Sequence, residues 1–279
     1  MCLSQEVKVV SVIGAGKIGS AIIRAIRGNC KDVEVIATGR RDETLRNAEL
    51  LGARATRDND EAVKEGNLIV LSVKPQHFPI IVKQVGKDRW KGKLVVSVMA
   101  GVKLKTLETV IEGAEVYRTM TNINAIVRKA STAIATNNGK SKENVEGLFK
   151  LLGTVYWVPE EFIDVWTALI GSGPAFLAEI IDALTMGAVA SGMPRELAYS
   201  AILDVMEGTA VLLKNRNSHP ISVRDEVTTP AGTTIRGLMV MEARGVKSAL
   251  METVEAAYRR SLEIGNEIDK EIRRALGIQ

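Results

Sequence analysis

Three glycines at fixed spacing, Gly14, Gly16 and Gly19, carry the most specific chemistry in this chain. They close an apolar run over residues 7–13 and open a helical pattern marked by Ile18, Ile22, Ile23 and Ile26. A strand, a glycine-rich turn and a helix in that order predict a dinucleotide site. Gly14 permits the tight turn, Gly16 lets the backbone approach a pyrophosphate, and Gly19 lets the helix pack closely on the strand. Around them, Ala15, Lys17 and Ile18 form the first helical turn, where free N–H groups and a positive dipole end face the phosphates. The next strand, residues 33–37, runs into Thr38-Gly39-Arg40-Arg41. A site selective for NAD places an acid there to hold the ribose 2′-hydroxyl. Here Thr38 occupies that place and two arginines follow it. A guanidinium forks onto phosphate, so the residues favour NADP over NAD, with NADH as the alternative reductant.

A second cluster lies far along the chain. Thr228, Thr229, Thr233 and Thr234 surround Pro230-Ala231-Gly232, just before a helix expected over residues 235–242. Hydroxyls and free N–H groups at a helix start make an anion site that a substrate carboxylate would fit. A helix cap needs one threonine, and four exceed that need. Upstream, Gly171-Ser172-Gly173-Pro174-Ala175-Phe176 predicts a helix entry with proline in the first turn. It is either a close-packed cap or a wall against nicotinamide and substrate. Three turns follow apolar strands: Ser72-Val73-Lys74-Pro75, Val98-Met99-Ala100-Gly101 and Met120-Thr121-Asn122. Ligands of an open α/β sheet bind beyond the carboxyl ends of its strands, so these turns are expected to line the nicotinamide half of the site. Pro75 sets the chain direction after its strand. Lys74 either approaches the cofactor or points to solvent, and Asn122 either holds backbone groups or a ligand.

The elements that must position these residues change character along the chain. The first half alternates strands (residues 54–56, 68–73, 94–98, 116–120 and 133–135) with helices (43–51, 59–65 and 79–85). Continuous apolar runs such as 68–73 suit strands buried on both faces. From residue 161 to about 276 there is helical periodicity and no strand pattern. The fold class is therefore α/β, with an N-terminal Rossmann-type doubly wound sheet over 1–160 and an all-helical domain over 161–279. Residues 176–190 and much of 198–213 are apolar on nearly every helical face. Such helices must be buried, and one small domain offers too little core for them, so part of this surface is expected to meet a second chain.

Composition narrows the classes. With 37 basic and 33 acidic residues interspersed and only 4% aromatics, the chain has no basic patch with aromatic interleaving, and no nucleic-acid partner is expected. Its apolar stretches read as too short or too interrupted for a bilayer, and no secretory leader pattern is seen, so a cytoplasmic protein without a membrane partner is expected. Cys2 and Cys30 provide no metal or disulfide framework, and His77 and His219 lack metal-ligand spacing, so no metal is expected. His219, before Pro220, is read as structural.

In order along nearly the whole chain, these motifs resemble those of the pyrroline-5-carboxylate reductase family: Gly14 to Gly19, Val73-Lys74-Pro75, Ser97 to Gly101, Met120-Thr121-Asn122, Gly171 to Phe176 and Asp225 to Thr234. One departure stands out, because the family carries Pro-Gly-Gly where this chain has Pro230-Ala231-Gly232. If that position needs a positive φ, alanine costs about 1 kcal/mol. The resemblance implies hydride transfer from NAD(P)H to the C=N bond of 1-pyrroline-5-carboxylate, giving L-proline. It implies cofactor contacts at Ala15 to Ile18, Thr38, Arg40, Asn59 and Ser72 to Pro75, and substrate contacts at Glu160, Thr229, Gly232, Thr233 and Thr234. It also implies a homodimer through the helical domain, often assembled further. For this reaction Thr234 is the candidate hydroxyl beside the imine nitrogen. Two other readings compete. A hydroxyacid dehydrogenase would need a lysine or histidine general acid/base, and residues 166–184 contain neither. A non-catalytic NADP-binding regulatory protein would leave the threonine cluster without a purpose.

Overall fold

The computed structural model describes residues 3, 4 and 6–278. Two compact units divide the chain: Met1–Ser172 with Ala257–Gln279, and Gly173–Ala256.

The first unit is built on one eight-stranded sheet in the order β3-β2-β1-β4-β5-β6-β7-β8. The strands are β1 (Val9–Ile13), β2 (Glu34–Thr38), β3 (Arg54–Thr56), β4 (Leu68–Leu71), β5 (Leu94–Ser97), β6 (Glu115–Met120), β7 (Ala130–Ala135) and β8 (Gly153–Trp157). The first six run parallel. β7 pairs antiparallel with β6, and β8 follows β7 in parallel. The expected doubly wound sheet is thus extended by a reversed pair. Helices α1 (Lys17–Asn29), α2 (Asp42–Leu50), α3 (Asn59–Glu65), α4 (Phe78–Gln84), α5 (Leu104–Val110) and α6 (Lys142–Lys150) connect the strands.

Alternation along the strands builds two core layers. Val10, Val12, Val35, Ala37, Leu68, Val70 and Val96 face the α1 side with Ile22 and Ile26. Ile13, Ile36, Ile69, Leu71 and Val95 face the other side with Val63, Phe78 and Leu107. Ser11 is the polar exception on β1. It is fully buried, and its hydroxyl donates to the Ala62 carbonyl at 2.6 Å. Cys30, after α1, is buried and is not a free thiol; Cys2 lies outside the described residues.

Beyond β8 the chain is helical, as expected: α7 (Phe162–Trp166), a π-helical turn (Thr167–Gly171), α8 (Gly173–Ala190), α9 (Arg195–Arg216), α10 (Pro220–Glu226), α11 (Thr233–Ala243) and α12 (Val246–Leu276). The end of α12 belongs to the first unit. Asp269 accepts the Lys103 N–H at 3.2 Å, Arg273 donates to the Thr106 hydroxyl at 2.9 Å, and Ile272 is buried in the core.

The second unit is different in kind. Between Gly173 and Ala256 only Thr185 and Ala198 are buried. Leu177, Leu184, Leu197, Val205, Val240 and Met251 are each more than 40% exposed. The apolar faces expected from the sequence are present, and this chain alone does not cover them. One expectation needs correction: Phe162–Ala190 is a helical run interrupted only by a bend at Ser172, and over its 29 residues it is long and apolar enough to cross a membrane by length and composition. The sequence looked interrupted at Gly171-Ser172-Gly173-Pro174, but the π-turn carries the helix through that stretch. Gly171-to-Phe176 is therefore an internal irregularity of a helical run.

Candidate functional site

The glycine turn joins β1 to α1, and steric contacts explain each glycine. Gly14 has φ +98°, and a Cβ there would lie 2.7 Å from Val73 Cγ1 and 2.9 Å from the Ser72 carbonyl oxygen. A Cβ on Gly19 would lie 2.4 Å from the Gly14 carbonyl oxygen, so only glycine lets α1 start this close to the turn. A Cβ on Gly16 would meet nothing within 4 Å, which leaves open space over the helix N-terminus. No side chain caps α1 and no acid stands in its first turn. Thr38, at the end of β2, accepts the Ala15 N–H on its carbonyl at 2.9 Å and the Gly14 N–H on its hydroxyl at 3.3 Å. That threonine pins the second strand to the glycine turn.

A cavity of about 540 Å³ lies against this turn. It is lined by Gly14, Ala15 and Gly16, by Thr38, Arg40 and Arg41 after β2, by Asn59 at the start of α3, and by Ser72, Val73 and Lys74 after β4. The structure brings these ten expected residues together. Lys17, Ile18, Gly19 and Pro75 are outside the lining: they form or buttress the turns that shape it. Val98, Met99 and Ala100 are also outside it. Met99 is buried, its N–H donating to the Ser97 hydroxyl at 3.3 Å. Arg57, His77, Thr44, Ile80 and Gln84 line the cavity too and were not among the expected residues. Arg57 and His77 follow the carboxyl ends of β3 and β4, so the strand-end rule that found Lys74 could have found both.

The electrostatics of this lining are one-sided. Arg40, Arg41, Arg57 and Lys74 are cations, and no aspartate or glutamate lines the cavity. Arg57 is held by Asp42 and by the Arg40 carbonyl. Arg40 donates from Nη2 to Nε2 of His77 at 2.8 Å. Asn59 donates to Gln84 at 2.7 Å, while its Oδ1 is buried without a partner. Glycine backbone, four cations, no acid and an orphaned amide oxygen fit an adenine dinucleotide carrying an extra phosphate.

The threonine cluster belongs to the second unit. The Gly232 N–H donates to the Thr229 carbonyl at 3.1 Å, closing a turn with Pro230 second and Ala231 third. Ala231 has φ +58°, the left-handed conformation that a type II turn demands at its third residue. Gly232 is the N-cap of α11, and no side chain caps that helix. A Cβ on Gly232 would sit 2.3 Å from the Thr229 hydroxyl. Thr228 donates its hydroxyl to the Arg224 carbonyl at 2.6 Å. Thr229, Thr233 and Thr234 are thus left with hydroxyls around an uncapped helix N-terminus. His219 accepts the Ile221 N–H on Nδ1 at 3.2 Å and caps α10, the structural role expected of it.

Two further expected residues have defined partners. Glu160 accepts from Arg118 at 2.9 Å and from the Leu104 N–H at 2.7 Å. Arg118, on β6, is 2% exposed and also reaches Asp164 at 3.3 Å. Glu160 is therefore engaged in fixing α7 to the sheet. Asn122, after β6, donates to the Ile170 carbonyl at 3.2 Å. In a regular helix that carbonyl would accept from residue 174, which is a proline without an N–H; Asn122 satisfies it instead, and its own Oδ1 stays buried and unpaired.

Comparison with known proteins places this geometry. A family model described as pyrroline-5-carboxylate reductase dimerisation matches residues 160–264. One described as NADP oxidoreductase, coenzyme F420-dependent, matches residues 9–101. Pyrroline-5-carboxylate reductase of Methanosarcina acetivorans is 36% identical over 263 residues, covering 92% of this chain and 97% of the relative. The crystal structure of Plasmodium falciparum pyrroline carboxylate reductase with NADP bound superposes with a TM-score of 0.83 at 25% identity, covering 94% of this chain and all of that one. The enzyme of Coxiella burnetii gives 0.84 at 27% identity, covering 93% and 98%. With the glycine turn, the cations that line its cavity and the threonine loop in place, the chain belongs to the pyrroline-5-carboxylate reductase family.

Proposed function

We propose that this protein reduces 1-pyrroline-5-carboxylate to L-proline with NADPH, as a step of proline biosynthesis. The observation that carries the substrate side is the N-terminus of α11, uncapped and surrounded by the free hydroxyls of Thr229, Thr233 and Thr234. Backbone N–H groups and the helix dipole there hold the substrate carboxylate. Thr234 orients the ring nitrogen or donates to it. A cyclic imine protonates near neutral pH, so the reaction needs a positioned hydride and a held carboxylate more than a strong acid. NADPH supplies the hydride when bound. Gly14, Ala15 and Gly16 seat its pyrophosphate, Arg40 and Arg41 its 2′-phosphate, and Asn59 its adenine. Val73, Lys74, Val98, Met99 and Ala100 are assigned to the nicotinamide half. In this reading residues 1–160 bind the cofactor, and residues 161–279 supply the substrate loop and the dimer contact.

The working form is a homodimer, or a larger assembly of dimers. The support is the matched dimerisation region and the uncovered apolar faces of α8, α9 and α11. A second copy explains Phe162–Ala190 better than a bilayer does. Glu179 and Asp182 sit inside that helix, and a carboxylate near a bilayer centre costs about 2.5–3.5 kcal/mol.

The deciding experiment follows NADPH absorbance with pyrroline-5-carboxylate and, separately, with 2- and 3-oxoacids. Rapid oxidation with the imine alone is expected. Turnover of oxoacids instead would favour a hydroxyacid dehydrogenase, and no turnover with either would favour a regulatory protein.

A further inference from the structure

His77 has no role in the reading above, yet it lines the cofactor cavity and touches Arg40, one of its cations. Pro75 opens a single 3-10 turn after β4, the His77 N–H donates to the Lys74 carbonyl at 2.9 Å, and the next residue, Phe78, is fully buried. The imidazole is therefore carried on a short turn anchored in the core.

The contact with Arg40 is chemically informative. A guanidinium only donates, so Nε2 of His77 must accept, and the ring is neutral with its proton on Nδ1. Among the described residues, that imidazole nitrogen is the sole hydrogen-bond partner of the Arg40 guanidinium. A neutral acceptor is a weak partner for a permanent cation, which bonds far better to an anion. The charged and polar groups that share the cavity with His77 are Arg40 and Arg41 from the β2–α2 turn, Arg57 from the β3–α3 turn, paired with Asp42 outside the lining, Lys74 from its own turn, and uncharged Gln84 from α4. Burial first, then Arg40 and Lys74, hold the imidazole below its ordinary titration range. A phosphate dianion among these cations reverses that balance. Such an anion would compete with Nε2 for Arg40 and offer an acceptor for a second imidazole N–H.

We propose that His77 is a specificity determinant for the NADPH 2′-phosphate: its neutral ring holds Arg40 over the cavity, then takes a proton from solvent and donates Nε2–H to the phosphate. This rests on the NADPH reading and deepens it. The consequence is that the preference for NADPH over NADH strengthens as pH falls through the range where histidine titrates.

The test measures the dissociation constants of NADPH and NADH by calorimetry between about pH 6 and pH 8, in two buffers of different ionisation enthalpy, for the parent and for His77→Gln. Glutamine keeps an acceptor for Arg40 but cannot carry charge. The second ionisation of a phosphate lies near pH 6 and acts oppositely, but parent and variant share it. NADPH binding by the parent is expected to take up more protons than binding by the variant. The NADH/NADPH ratio of the parent should exceed that of the variant by up to about tenfold near pH 6, one pKa unit of linkage, and the two should converge near pH 8. NADH binding by His77→Gln reports that the fold is intact. Equal proton uptake and parallel pH profiles in the two proteins would overturn the role of His77 while leaving an NADPH preference standing. Equal affinity for both cofactors at every pH would overturn the NADPH reading itself.

Discussion

Ala231 stands where the first glycine of the family's Pro-Gly-Gly falls, and it adopts φ +58°. An L-residue in the left-handed region costs about 1–2 kcal/mol, and glycine would return part of that through its freer unfolded chain. Ala231→Gly is expected to raise stability by up to about 1 kcal/mol. Ala231→Val should lower it, since a β-branched residue fits a positive φ poorly. Thermal unfolding of the two variants reads that order. Three residues on, Thr234 tests the chemistry. Thr234→Ala should leave the fold and NADPH affinity in place but lower turnover by about tenfold to a hundredfold, the worth of a hydrogen bond to a charged group. Thr234→Ser should keep much of the rate. Parental turnover in the alanine variant would reduce Thr234 to a bystander.

Among the elements, the turn after β2 and the clasp between β6 and α7 do different work. The first gathers charge. Arg40 and Arg41 both line the cavity beside the glycine turn, and replacing both with alanine should weaken NADPH binding while NADH binding changes little. Equal losses would remove the argument for the 2′-phosphate. The second holds α7 to the sheet. Arg118 is buried between Glu160 and Asp164, and Ser261 on α12 also approaches Asp164. Removing one partner of a buried ion pair leaves uncompensated charge and costs about 3–5 kcal/mol. Arg118→Met should therefore lower the denaturant midpoint markedly, although the side chain does not line the cavity. A midpoint at the parental value would show that the two carboxylates find other partners.

For the molecule as a whole, the second unit sets the constraint. A helical unit with two buried residues has no core of its own, and apolar faces of this extent do not stay in water. Sedimentation at micromolar concentration is expected to show a dimer or larger species. A stable, active monomer would refute the shared core. Dilution should also couple assembly to stability, because an obligate dimer loses its fold with its partner.

Much of this was written in local patterns. Residues 7–19 determine a strand, a turn and a helix because each glycine answers a steric demand made within the same few residues. β4 and β5 are legible because burial on both faces forces continuous apolar runs. Arg40 and Arg41 are legible because they follow a strand end where an acid is otherwise required. β8 was not legible: Thr154, Tyr156 and Trp157 are exposed at the sheet edge, so no burial pattern marks it. α5 and α6 were also not among the expected elements. Tertiary structure alone decided that the carbonyl Pro174 cannot satisfy is taken by Asn122, two residues after β6. It alone decided that Glu160 pairs with Arg118 from a strand forty residues earlier. It placed His77 against Arg40, since two residues on separate strand ends meet only when β1 sits between β2 and β4. A residue's local conformation is encoded by its neighbours in the chain, whereas the partner of a charge is encoded by the order of the strands.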